Sequence, residues 1–358
     1  MSGTIFLLGA TGFAGSTFLI SLGKNLPQYH VVALTRGSSA ASLEARTKSL
    51  KAHHPNLSVV EGTLEDEAII RRESAKVDIV VNCASSDHLV SIRGILDGLE
   101  DRQKNTGSSP IFIHVSGYGL ISDNSRGQPP GPSPKVYTDI GFSPNDCPEQ
   151  NPHREVDNFI IDAATRTQNS VRTLIFYPGW IYGVGEAIGL QRTTLALRIY
   201  TEMAKQFGYV GTFAAGLNGM QNIHVKDCAS ALLIMLQAAI DGRADVGTEG
   251  IYFGSSEQPI IPHVEITNKI GDILHAHGTI PLSGSQPMKP EHASVLTEGA
   301  WSAMGGNLIA NPQRLRKFGW EPVESRKLAL MDSLPEELKV AIKEWEVLTT
   351  DNSPLLTH

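Results

Sequence analysis

Short apolar runs alternate along the first half of the chain with longer stretches that read as helix. The runs are Ile5-Phe6-Leu7-Leu8, His30-Val31-Val32-Ala33-Leu34, Leu57-Ser58-Val59-Val60-Glu61-Gly62, Val77-Asp78-Ile79-Val80-Val81-Asn82-Cys83, Ile111-Phe112-Ile113-His114-Val115-Ser116 and Arg172-Thr173-Leu174-Ile175-Phe176-Tyr177-Pro178. Their length and β-branched content predict six buried strands. Ser16 to Leu22, and the stretch around Ser91 to Asp101, predict helices between them. Strand and helix in alternation predict an α/β protein built on a doubly wound parallel sheet. Gln128-Pro129-Pro130-Gly131-Pro132-Ser133-Pro134 can be neither helix nor central strand, and predicts a loop over the sheet's carboxyl edge.

The first run leads straight into Gly9-Ala10-Thr11-Gly12-Phe13-Ala14-Gly15, with helix following. Strand, glycine-rich turn and helix together cradle a dinucleotide pyrophosphate. The glycines let backbone approach phosphate, and the helix N-terminus offers free N–H groups and a positive dipole end. Gly9, Thr11, Gly12, Phe13, Ala14 and Gly15 are therefore expected at a Rossmann-type cofactor site. The second strand ends in Thr35-Arg36-Gly37-Ser38-Ser39, with no acid nearer than Glu44 to hold a ribose 2′-hydroxyl. Arg36 and the two serines offer charge-assisted donors for a 2′-phosphate, so NADP is favoured over NAD. The alternative is a solvated arginine in a polar loop.

At 358 residues and 41% hydrophobic content the chain can build a sizeable core. A net charge of −7 gives no encouragement to nucleic-acid binding or to an anionic membrane surface. Cys83, Cys147 and Cys228 form no CxxC pair and no even disulfide set, which fits a reducing compartment. With no signal-peptide pattern and no membrane-length apolar run, a cytoplasmic protein is expected. The histidines show no metal-binding spacing. A small-molecule substrate is the expected partner, nucleic acid and membrane are not, and a homodimer stays open.

Several motifs, in order, resemble the extended and atypical short-chain dehydrogenase/reductases, the group of nucleotide-sugar epimerases and dehydratases. The likeness is to a fungal-type, epimerase-like branch. GxxGxxG is met by Gly9, Gly12 and Gly15. Gly62-Thr63-Leu64-Glu65-Asp66 resembles the family's Gly-Asp-Leu adenine contact, with Thr63 in the acid's place. Asn82-Cys83-Ala84, followed by Ser85, stands where the family has an Asn-x-Ala turn beside the cofactor. Pro178-Gly179-Trp180-Ile181-Tyr182-Gly183 resembles the segment whose backbone meets the nicotinamide amide. Asn222 to Asp227 and Leu315 to Pro322 resemble its His-Val-x-Asp and Leu-Gly-Trp-x-Pro stretches. The resemblance implies cofactor contacts from Thr63, Leu64, Cys83, Ala84, Ser85, Pro178 and Ile181.

The departure concerns catalysis. The family's Tyr-x-x-x-Lys opens the helix after the fifth strand; here that helix reads Pro152-His153-Arg154-Glu155-Val156-Asp157, with His153 and Asp157 in the two places. Pro152 suits the first helical position and Asn151 its cap. His153 and Asp157, four apart, are expected to share a face, either as a general acid tuned by a carboxylate or as a plain ion pair. Ser116 ends the fifth strand, where the family hydrogen-bonds the substrate oxygen. Tyr118, two residues on, is expected on the same side of an extended chain, supplying a phenolic proton or packing under the proline-rich loop.

These signals leave an NADP-dependent oxidoreductase acting on a small carbonyl or alcohol, a redox-neutral epimerase or isomerase, and a non-catalytic NADP-binding regulator. Residues 1–183, with 222–253, read as the NADP-binding domain; 184–221 and 254–358 read as a smaller substrate lobe. Trp180, Tyr182 and Trp301 are expected in the cleft, favouring an apolar or aromatic substrate. A shortage of clustered arginine in the C-terminal half speaks against a diphosphate-bearing one. Leu338, Ile342 and Trp345 mark a packing helix, and the last ten residues should fray.

Overall fold

The computed structural model describes residues 3–348 apart from 38, 169 and 295, and of residues 345–348 only the backbone. The last ten residues and the Trp345 side chain therefore lie outside the described residues. Seven strands form the central sheet: β1 (Thr4–Leu8), β2 (His30–Thr35), β3 (Leu57–Glu61), β4 (Ile79–Asn82), β5 (Ile111–Val115), β6 (Arg172–Pro178) and β7 (Ile251–Gly254). All pair parallel in the order β7-β6-β5-β4-β1-β2-β3. The sequence shows six of them within one or two residues. The fourth starts at Ile79 because Val77 and Asp78 complete the preceding turn.

Helices α1 (Phe13–Asn25), α2 (Ala40–His53), α3 (Glu67–Ser74), α4 (Leu89–Thr106), α5 (Arg154–Arg166), α6 (Leu195–Phe207), α7 (Val225–Ile240), α8 (His263–Ala276) and α9 (Leu330–Leu348) carry most of the rest. Alternate residues of β1 enter opposite cores, as a two-residue period requires. Ile5 and Leu7 pack with Phe18, Leu19 and Leu22 of α1 and Leu232 and Leu236 of α7. Phe6 and Leu8 pack with Ile92, Ile95 and Leu99 of α4 and Val156 and Ile160 of α5. Each fully buried side chain of this kind contributes about 1.5–3 kcal/mol. Both faces are covered, so the strands read as unbroken apolar runs. A third core joins Leu197 and Tyr200 of α6, Ile266 and Ile270 of α8, and Leu334, Leu338 and Ile342 of α9.

One buried acid fastens the sheet's edge. Asp139 accepts from the backbone N–H groups of Phe253 on β7, Gln313 and Arg314. The Arg314 guanidinium returns a bond to the Asp139 carbonyl and reaches Asp245 and Glu249. Residues 128–134 take no regular structure, as their prolines require. Among the described residues no helix is long and apolar enough to cross a membrane.

Candidate active site

A cleft of about 2080 Å³ opens at the carboxyl ends of the strands, where α/β sheets bind their ligands. Gly9 takes φ +81°, and a Cβ there would lie 2.5 Å from the carbonyl carbon of Cys83. Gly12 caps α1 without any side-chain bond, and no acid stands in the first turn, so the terminal N–H groups are left for a ligand. Gly9, Thr11, Gly12, Phe13 and Ala14 all line the cleft. Gly15 does not line it, a correction to its expected contact. A Cβ on Gly15 would meet the Gly9 carbonyl oxygen at 2.1 Å, so its task is to let α1 seat directly behind the turn.

Arg36 is exposed on the cleft wall beyond β2. Its carbonyl accepts from Arg46 Nη1 of α2 at 2.6 Å, and Arg46 lines the same wall. Arg46 was not singled out from the sequence; its place nearly two helical turns inside α2, facing back to the strand end, was the available signal. Ser39 is committed elsewhere, since its hydroxyl caps α2 by accepting from Ser42 N–H. Ser38 lies outside the described residues. Thr63 and Leu64 line the wall too, the Thr63 N–H and hydroxyl both donating to Asp66, at 2.7 and 2.8 Å. The carboxylate missing at position 63 is thus supplied three residues later, but turned onto the loop itself.

Asn82, fully buried at the end of β4, builds the next turn. Its side-chain oxygen accepts from Ala84 N–H, and its amide donates to the Ser85 carbonyl and to His114 Nδ1. Cys83, Ala84 and Ser85 are thereby held on the cleft wall, with Pro178 and Ile181 on the other side.

The expected pairing of His153 with Asp157 is not formed. The helix starts two residues later than Pro152 and Asn151 implied: His153 occupies the cap position of α5 at φ +74°. Its N–H and its ring Nδ1 both meet Asp87 Oδ1 at 2.8 Å, which holds the left-handed backbone and gives the ring Asp87 as its bonded partner. Asn151 caps nothing; its buried amide donates to the carbonyls of Leu120 and Ser122.

Asp157 instead meets Ser116. It is fully buried, and the Ser116 hydroxyl, on the cleft wall, donates to Asp157 Oδ2 at 2.8 Å. Burial pushes the Asp157 carboxyl up to about 7, against the opposing influence of His153 and the Ser116 bond. His114 Nε2 lies 3.8 Å from Asp157 Oδ1, and burial holds this imidazole down at about 3, hence neutral. Tyr118 opens a tight 3-10 turn, Tyr118–Ile121, in place of an extended chain. Its ring lies edge-on to Phe253, 2% exposed, and burial raises its phenol far beyond the neutral range. Its body walls the cleft, but its hydroxyl sits inward beside Ser255.

Of the three expected cleft aromatics, only Trp180 lines it. Tyr182 is fully buried, its hydroxyl donating to the Leu328 carbonyl, and Trp301 packs on Phe213 under Arg126. Of the arginines in the C-terminal half, Arg192 and Arg198 line the cleft, where folding adds Lys339 and Lys343 from the distant α9.

Residues 5–102 match the NAD dependent epimerase/dehydratase family. The chain is 26% identical over 337 residues to oxidase ucsJ of Acremonium sp, covering 90% of this chain and 94% of that one. Among solved structures it resembles dTDP-glucose 4,6-dehydratase from Bacillus anthracis, in complex with NAD, with TM-score 0.65, 16% identity, and 96% and 97% of the two chains covered. It likewise resembles UDP-glucose 4-epimerase from Bifidobacterium longum, in complex with NAD+ and UDP, with TM-score 0.63, 15% identity, and 95% and 98% covered. The likeness read from the motifs to extended short-chain dehydrogenase/reductases is borne out, and the fold is theirs.

Proposed function

We propose that the protein is an oxidoreductase that binds NADP and interconverts a small carbonyl and its alcohol, with Ser116 and Asp157 moving the proton. The uncapped, glycine-lined start of α1 fits a pyrophosphate, and Arg36 with Arg46 fits a 2′-phosphate. Bound there, the cofactor supplies or accepts the hydride. Residues 1–183 with 222–253 form the cofactor domain in this reading, and 184–221 with 254–358 the substrate lobe.

The observation that carries the reading is the bond from the cleft-facing Ser116 to a buried carboxyl poised near neutrality. In the reducing direction Ser116 gives its proton to the substrate oxygen and takes one from protonated Asp157, which is left as carboxylate. In the oxidising direction the same path runs backward, and Asp157 accepts the alcohol proton through Ser116. A group near pKa 7 serves both directions. Asp157 stands where the resembled family has its lysine, but acts as proton reservoir and not as a fixed cation. Tyr118 and His153 position the wall: one is buried against Phe253, the other clamped by Asp87. The oxidase relative favours redox chemistry over a regulator's role.

The test is NADPH consumption over a panel of aromatic and apolar carbonyls, and NADP reduction with the matching alcohols. Ser116→Ala should lower turnover about 10²- to 10⁴-fold while NADPH binding holds. An unchanged rate removes Ser116 from the chemistry. No turnover with any compound, alongside tight NADPH binding, favours a regulator.

A further inference from the structure

The substrate lobe presents a cation with an unmet donor. Arg198, on α6, is only 5% exposed, yet it lines the cleft. Its Nε is buried without a hydrogen-bond partner. Glu344 acts on it through its charge, but burial still pulls the guanidinium below its ordinary range. A buried donor left without an acceptor is costly, so this group gains when an acceptor arrives in the cleft. The same helix begins at the cleft. Thr194, its cap residue, makes no side-chain bond, no acid stands in the first turn, and Thr194, Leu195 and Ala196 line the wall. Free N–H groups and a buried guanidinium one turn later converge on one volume.

We propose that the substrate carries a carboxylate, and that Arg198 with the start of α6 binds it while the carbonyl or alcohol reaches Ser116. The inference rests on the oxidoreductase reading and names its substrate class. Two features select a monoanion over a diphosphate. The lobe's part of the cleft sets Arg192, Arg198, Lys339 and Lys343 against Glu202, Glu336 and Glu344, so carboxylates offset most of the positive charge. Arg192 is already engaged, its Nε donating to the Gly185 carbonyl and its N–H to Glu344. Arg198 remains, and its planar fork matches one carboxylate. Trp180, stacked on Tyr200 of the same helix at 6.3 Å, borders the site and gives an aromatic acid a flat surface.

The experiment titrates the protein, with and without NADPH, with benzoate, neutral benzamide and inorganic phosphate, followed by tryptophan fluorescence and thermal melting. Benzoate should bind and raise the melting temperature, and benzamide should not. Arg198→Met should weaken benzoate by about ten- to hundredfold and leave NADPH affinity unchanged. Arg198→Lys keeps the charge but loses the fork; it should fall between the two, and it preserves the test if the methionine variant does not fold. The proposal is overturned if benzoate produces no response, if benzamide matches it, if phosphate displaces it at lower concentration, or if the variants keep full benzoate affinity. Failure of NADPH to bind, with benzoate still recognised through Arg198, would instead overturn the cofactor reading alone.

Discussion

Asp157 and Arg36 carry their consequences as single residues. An unfolded aspartate ionises near 3.9, whereas burial holds Asp157 at about 7 in the fold. Between those values the folded chain keeps a proton that the unfolded chain has released. The stability tied to this group is therefore full below about pH 4 and is lost as pH rises through about 7. Asp157→Asn removes the titration: in urea melts it should match the parent near pH 4 and exceed it by roughly 2–4 kcal/mol near pH 8. A parallel pH dependence in both proteins would show that the carboxyl ionises normally. Arg36→Ala should weaken NADPH much more than NADH, since only the former has a 2′-phosphate to lose; equal losses by calorimetry would mean the arginine reads nothing. Ser116 was legible because it ends a strand whose start and finish are plain in the apolar pattern. The partner of His153 was not, because four-residue spacing predicts a shared face only inside a helix, and His153 sits just outside one in left-handed backbone.

At the scale of elements, the glycine motif that joins β1 to α1 sets opposite demands on Gly12, in the turn, and Gly15, inside the helix. A side chain at Gly12 meets little besides the Gly9 carbonyl oxygen, at 3.3 Å, and would extend into the cleft. Gly12→Val should fold normally and lose dinucleotide binding. At Gly15 even a methyl group collides with backbone at 2.1 Å, so α1 must lift off the turn. Gly15→Ala should cost about 1–3 kcal/mol or more in stability as well as cofactor affinity. Circular dichroism melts beside fluorescence titrations separate the two; a Gly12→Val protein with full affinity would refute the cradle. Sequence could place all three glycines in one motif but could not divide their labour, which depends on how closely α1 lies over β1 and β4. Five of the six readable strands are mostly buried on both sides, whereas β3, at the sheet edge, is only partly buried and shows through its valines. β7 was missed: its Ile251-Tyr252-Phe253 run between glycines is a strand signal, but it is short and comes more than seventy residues after β6.

For the whole molecule, two strands that are neighbours at one edge of the sheet lie far apart in the chain. β6 is finished at Pro178, but the strand that covers it, β7, begins only at Ile251. The intervening chain supplies α6 and part of the third core before returning through α7. The chain therefore cannot be cut between Pro178 and Ile251 without stripping β7 from the sheet. A chain truncated between Pro178 and Ile251 should express as aggregate and bind no NADPH, and a soluble, cofactor-binding fragment of that length would show that β7 is dispensable. The consequence reaches synthesis on the ribosome. While residues 179–250 are still being translated, β6 presents an apolar edge with unpaired N–H and C=O groups, open to any extended strand nearby. The Asp139 clasp, which joins β7 to residues 313 and 314, can close only after residue 314 has been made. Newly made protein should therefore be most prone to aggregate before that point, and substitutions at Asp139 or Arg314 should reduce cellular yield before they alter the purified protein's activity.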